Sequence, residues 1–217
     1  MITFNIINMK HRPDRMLNVG RIFAHKDIKL NRIDAVKLSP GYLGCAASHL
    51  SVIKHGKKNN LDFVIVVEDD CIFNDNITHE HIITCITDLS ASLNDWQIFN
   101  GGPTFWTIRN ELDKLTVTNS KVSNNMIDIS WGQTTHFMIY NSNSYDQLID
   151  LFTDPTDHID LLVSQNFTQT TFKHSYLFQQ MPDHSDIEGR ANGQEYTEYQ
   201  QKQEQIMLQA VQNQLVP

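Results

Sequence analysis

The amino-acid sequence predicts an α/β fold in which a mostly parallel sheet carries helices on both faces. Three observations lead there. Short apolar runs alternate with stretches of helical spacing through the first hundred residues. One run, Phe63–Val67, has five consecutive apolar residues, the pattern of a strand buried on both faces. That run leads straight into three carboxylates, Glu68, Asp69 and Asp70. Open α/β sheets bind ligands at this place, beyond the carboxyl ends of their strands.

The elements follow in order. Ile2–Asn8, rich in Ile and Phe, reads as the first buried strand. Arg12–Phe23 reads as a helix, with Pro13 suited to a first turn and Met16, Val19 and Phe23 at helical spacing. Lys29–Val36 is the second strand. Gly41–Lys57 carries a helical stripe of Leu43, Ala46, Ala47, Leu50 and Ile53. After the Phe63–Val67 strand, a helix is expected from about Thr78 to Leu93. Trp96–Phe99 is a short strand stopped by Gly101-Gly102-Pro103. Two or three strands fall within Thr104–Ser130, with another at Phe137–Tyr140. Helices are expected at Ser144–Phe152 and His158–Phe167, and a late strand at Ser175–Phe178. The Gln-rich segment Gln194–Leu215 is helical, with Tyr199, Ile206, Met207, Ala210 and Leu215 on one face for docking on the domain or on a second subunit.

Composition narrows the class. A chain of 217 residues is long enough for one domain with a sizeable core. A net charge of −8 argues against a broad nucleic-acid surface, although Lys10, Arg12 and Arg15 form a patch that suits a single phosphate group. Three cysteines, Cys45, Cys71 and Cys85, fit a reducing compartment better than a disulfide framework. No segment has the length of a transmembrane helix, and MITFNIINMK lacks the layout of a signal peptide. A cytoplasmic protein, soluble or peripheral to a membrane, is the expectation.

The acidic triplet has two readings. It is a solvated turn, or it is a place where a cation sits. If the strand geometry persists, Glu68 and Asp70 point to one side, and carboxylates that close need a proton or a cation between them. Hard oxygen donors suit Mg²⁺ or Mn²⁺, ions that bridge carboxylates to substrate phosphates. Ser48 and His49 are neighbours on a helix and face different ways, which excludes a nucleophile–base pair. His49 is either a packing or a binding histidine. Gly41 and Gly44 form a turn or let backbone approach a nucleotide.

The motif VIVVEDDCIF resembles the LVLEDD segment of glycosyltransferase family 25, which includes bacterial lipooligosaccharide sugar transferases and collagen galactosyltransferase domains. NIINMKHRPDRM is similar to the family's opening pattern at Asn8, Arg12 and Arg15, and GYLGCAASHLSV to its GxxGCxxSH element at Gly41, Gly44, Cys45, Ser48 and His49. DWQIFNGG, HFMIYNSNSYDQLI and HIDLL follow in family order, the last at Asp160. LFQQMPDHSDIEG resembles the closing motif at Gln180, Ser185, Asp186 and Ile187. Three departures stand out: Tyr42 within the glycine motif, His136-Phe137, and Tyr145.

The resemblance implies a GT-A-like catalytic domain over residues 1–190; residues 191–217 lie beyond it as the Gln-rich C-terminal helix, whose apolar face offers a route to a homodimer. It implies an inverting transfer of a hexose, galactose or glucose favoured, from a UDP-sugar to a glycan, a glycosylated protein or a hydroxylysine-type acceptor. Asp70, Glu68 and Asp186 would hold Mn²⁺ or Mg²⁺. Asn8, Arg12, Arg15, Gly44, Ser48, His49, Glu68, Asp69, Gln180 and Asp186 would meet the donor. Asp160, with Asp157 in reserve, would be the general base. Two other readings remain: a degenerate transferase fold that binds glycans or partners without turnover, and a metal-dependent phosphohydrolase.

Overall fold

The computed structural model describes residues 1–105, 115–181 and 194–215. Among the described residues, ten strands and six α-helices succeed one another: β1 (Ile2–Asn8), α1 (Pro13–Ile22), β2 (Ile28–Asp34), α2 (Gly41–Lys58), β3 (Phe63–Glu68), β4 (Cys71–Phe73), α3 (His79–Ala91), β5 (Ile98–Asn100), β6 (Val117–Asn119), β7 (Met126–Ile129), β8 (Phe137–Asn141), α4 (Tyr145–Thr153), α5 (Ile159–Asn166), β9 (Gln169–Phe172), β10 (Phe178–Gln180) and α6 (Gln194–Leu215). The main sheet has the order β2-β1-β3-β8-β5-β9-β7-β6. Only β8 and β7 run against the other six strands, so the mostly parallel sheet read from the sequence is present. β4 and β10 pair in a separate two-stranded sheet.

The alternation of side chains along β3 explains why its sequence is apolar throughout. Ile65 and Val67 face a core closed by α1 and α3, through Val19, Phe23, Ile82, Ile86 and Leu89. Val64 and Val66 face the opposite core, closed by α2, α4 and α5 through Ala46, Ile53, Leu148, Phe152 and Val163. A fully buried Val, Ile or Phe stabilises by about 1.5–3 kcal/mol, so every position of the strand favours an apolar residue. Glu68 lies in phase with Val64 and Val66 and projects on the α2 side.

α6 has its apolar face on its own domain. Met207, Ala210 and Val211 pack with Phe105, Leu115, Val117, Ile127, Ile129 and Tyr176 in a third core. The Gln214 side chain accepts from the Val117 amide and donates to the Leu115 carbonyl, satisfying backbone groups at the edge strand β6. Of the two docking options read from the sequence, this is the first. β9 was not expected, because QTTF offers little apolar alternation. The late strand lies slightly beyond its expected place, at Phe178–Gln180.

Candidate functional site

The site forms where β1 and β3 end. The Glu68 amide donates to the His136 carbonyl at 2.9 Å as the ladder with β8 closes. Asp69 and Asp70 then turn the chain into β4. The extended geometry therefore stops at Glu68, and the expected projection of Glu68 and Asp70 to one side does not hold. Glu68 meets α2 and Thr135, whereas Asp69 and Asp70 meet α1 and β10. All three nonetheless line one cavity of about 200 Å³.

On the α2 side, His49 Nε2 lies 3.1 Å from Glu68 Oε1, and His49 Nδ1 lies 2.9 Å from the Tyr140 hydroxyl. The Thr135 hydroxyl donates to the same Glu68 oxygen at 2.8 Å, and Cys45 Sγ lies 3.7 Å from it. Burial works against the Glu68 charge, but the hydrogen bond and charge of His49, with Thr135, hold its carboxyl below the usual range. Burial and the neighbouring carboxylates Glu68 and Asp160 push the Cys45 thiol well up. Ser48 is structural: its hydroxyl donates to the Gly44 carbonyl and accepts from the Val36 amide, pinning the loop after β2 onto α2. Gly44 serves the same contact. A Cβ there would meet the Val36 carbonyl oxygen at 2.3 Å, so its glycine answers to backbone packing, while the residue also lines the cavity.

On the α1 side, Arg15 donates to Asp69 at 3.0 Å and lies 3.7 Å from Asp70. Asn8 donates to the other Asp69 oxygen at 2.7 Å and accepts from Arg32 at 2.9 Å, so it orients Asp69 from behind. Burial raises the Asp69 carboxyl against these two hydrogen bonds. For Asp70, burial and then the Glu68 charge push the carboxyl up to about 7, opposed by the hydrogen bond from Gln180 at 2.7 Å.

Asp70 Oδ1 is sealed from solvent and accepts no hydrogen bond among the described residues. A desolvated carboxylate oxygen with two like charges beside it fits a hard divalent cation, and a metal contact at Asp70 passes this test. Glu68 Oε1 is already engaged by His49 and Thr135, which makes Glu68 a weaker candidate ligand. Ser185, Asp186 and Ile187 lie outside the described residues.

The remaining predicted residues divide. Arg15, Gly44, Ser48, His49, Glu68 and Gln180 share the cavity wall with Asp69 and Asp70. Arg12 starts α1, pairs with Asp14 at 3.0 Å and is not part of that wall. Asp160 accepts from the amides of Thr134, at 3.1 Å, and Leu161, at 2.9 Å. It thereby holds Thr134 at a φ of 73°, in the left-handed region. Burial raises its carboxyl, and it is not part of the cavity wall. Asp157 accepts from the His158 amide at 2.8 Å at the start of α5, away from the cavity wall. Thr135, Tyr140 and Cys45 join the site beyond the candidate residues that the sequence points to. Cys45 carried a signal, being four residues before His49 on one helix face. Thr135 carried none.

The sequence model of Glycosyltransferase family 25 (LPS biosynthesis protein) matches residues 4–101. Procollagen galactosyltransferase 1-B of Xenopus laevis is 27% identical over 121 residues, which cover 43% of this chain and 20% of that protein. The chain thus spans about a fifth of the length of that relative. Among solved structures, mannose-1-phosphate geranyltransferase from Thermus thermophilus has a TM-score of 0.41 at 9% identity, covering 79% of this chain and 73% of that one. Apo UDP-glucose pyrophosphorylase has a TM-score of 0.36 at 9% identity, covering 82% and 74%. Similarity at this level says nothing of function. The matched residues 4–101 hold the first strand, the glycine-opened helix and the acidic triplet, and over them the chain is similar to glycosyltransferase family 25.

Proposed function

We propose that this chain is a glycosyltransferase that moves a hexose from a UDP-sugar to a glycan or hydroxylysine-type acceptor with inversion at the transferred carbon. The observation that carries the reading is the gathering of Glu68, Asp69 and Asp70 with Arg15 and Gln180 around one cavity at the carboxyl end of β3. The similarity of residues 4–101 to glycosyltransferase family 25 supplies the reaction class.

In this reading the cavity takes the donor. Arg15 is a buried, permanently charged guanidinium beside the carboxylates, and Asp69, itself held by Asn8, fixes it in place. A divalent ion bound at Asp70 would supply Lewis-acid assistance to departure of the diphosphate. Gln180 fixes the Asp70 carboxylate by donating to Oδ2, which leaves Oδ1 for the ion. An inverting displacement also requires a base to take the acceptor hydroxyl proton. Asp160 remains the proposed base, since burial raises its proton affinity, although two backbone amides already occupy its oxygens.

The test is UDP release from a panel of UDP-sugars with Mn²⁺ and a galactose-terminated acceptor, with and without Asp70→Asn. Turnover by the parent chain and its loss in the variant are expected. Release that ignores the substitution, or none with any donor, would sink the proposal. UDP binding without turnover would instead favour a degenerate binding module. That alternative has one observation behind it: Arg15 already partly neutralises Asp69 and Asp70.

A further inference from the structure

A second cluster of donor atoms lies on the opposite wall of the same cavity. Cys45 Sγ, His49 Nε2 and one Glu68 oxygen all lie within 4.8 Å of one another. Cys45 and His49 are one helical turn apart on α2, so a single rigid face presents both. Glu68 reaches them from the last position of β3. From these residues we propose a transition-metal site, of the zinc or cobalt class, distinct from the cation contact at Asp70.

Three features make the cluster fit to hold a metal. The first is spacing. Tetrahedral zinc with its usual bond lengths sets neighbouring N and O ligands about 3.4 Å apart and S and O ligands about 3.6 Å apart. The observed separations are 3.1 Å for His49 Nε2 to Glu68 Oε1 and 3.7 Å for Cys45 Sγ to the same oxygen. The second is outer support. Tyr140 holds His49 by its other ring nitrogen, and Thr135 holds Glu68, the arrangement that orients metal ligands in known sites. The third is access. All three ligand residues line the cavity, so a water or a ligand oxygen can complete the fourth position.

The donor set selects the ion. A thiolate, an imidazole and a carboxylate suit Zn²⁺ or Co²⁺ rather than Mg²⁺ or Ca²⁺, which take oxygen donors alone. On binding, the Cys45 thiol proton leaves to solvent. The imidazole proton moves to Nδ1, where the Tyr140 oxygen accepts it, and Nε2 takes the metal. The ion then occupies Glu68 and adds positive charge to the wall facing Asp69 and Asp70.

Co²⁺ is the probe, added to the purified full chain after chelator treatment and without nucleotide-sugar. One equivalent should give the near-ultraviolet sulfur-to-cobalt band and the intense visible bands of a four-coordinate ion. Cys45→Ser should abolish the sulfur band, Tyr140→Phe should weaken affinity about 10- to 100-fold, and Asp70→Asn should leave the spectrum unchanged. Stoichiometric binding with no sulfur band in the folded parent chain would overturn the proposal, as would absence of stoichiometric binding. Those readings need no variant, so a misfolded Cys45→Ser chain does not shield the idea. If Co²⁺ binds only through Asp70, the inference falls while the sugar-transfer reading stands.

Discussion

The Arg15 guanidinium donates to Asp69 at 3.0 Å, with only 6% and 8% of the two side chains exposed. This buried ion pair joins α1 to the turn after β3 and sets the electrostatics of the cavity. Removing one partner of such a pair leaves the other charge buried and uncompensated, which costs about 3–5 kcal/mol. Arg15→Ala should therefore lower the urea midpoint by a corresponding amount at pH 7. Adding Asp69→Asn to that variant should recover part of the loss, since the stranded charge is then gone. A loss below about 1 kcal/mol in the single variant, within the range of exposed pairs, would contradict the finding.

Asp70 should make the protein's stability fall as pH rises. Its folded carboxyl is pushed up to about 7, from an ordinary 3.8. Between those values the folded state holds the proton more tightly than the unfolded chain, so the slope of unfolding free energy against pH is negative. Asp70's unfavourable contribution is absent below about pH 4 and grows to its full size above about pH 7. Thermal melts from pH 5 to 8 should show the decline in the parent chain and a flatter profile in Asp70→Asn. Saturating Mn²⁺ should flatten it too if an ion takes the orphaned Oδ1. Identical slopes for the parent chain and Asp70→Asn would remove Asp70 as the cause.

Much of this site was legible in the sequence because its residues sit at strand and helix ends that periodicity can place. The Phe63–Val67 run located the triplet at the sheet's carboxyl edge, and the glycine-opened stripe located α2 beside it. The division of the triplet between two walls was not legible. It depends on a turn that begins at Asp69, and nothing in the string EDD says where a strand ends. Arg12 and Arg15 looked alike in sequence, yet helix phase buries Arg15 against Asp69 and leaves Arg12 to Asp14. Thr135 was invisible for a different reason: it reaches Glu68 only because β8 pairs antiparallel to β3, a contact 67 residues apart in the chain.

Gly44 allows a change that separates packing from ligand effects. A Cβ there meets the Val36 carbonyl oxygen at 2.3 Å and the Leu38 amide at 3.1 Å, both backbone atoms that cannot swing aside. Gly44→Ala should push the loop after β2 off α2, costing about 1–3 kcal/mol and weakening any ligand held between them. Gly20→Ala is the control, since a Cβ there meets nothing within 4 Å. It should stabilise α1 by about 0.5–1 kcal/mol. Melting temperatures and UDP affinity measured on both variants would check this, and equal melting temperatures would contradict it.

The C-terminal helix supports the cavity at a distance. Glu204 on α6 accepts from the Tyr176 amide at 2.8 Å and from Asn74 at 2.9 Å. Asn74 in turn donates to the Tyr176 carbonyl at 3.1 Å and accepts from Gln179, the neighbour of the Gln180 that holds Asp70. Glu204→Ala strands a buried amide next to the strand that positions Gln180. An unsatisfied buried donor costs about 1–3 kcal/mol, and each kcal/mol shifts the melting point of a chain this size by about 2–4 °C. Glu204→Gln keeps a carbonyl acceptor and should lose less than half as much. The same order should appear in UDP affinity if the linkage runs through Gln180 to Asp70. A Glu204→Ala chain that melts with the parent and binds UDP equally well would show that α6 covers the third core without bracing the site.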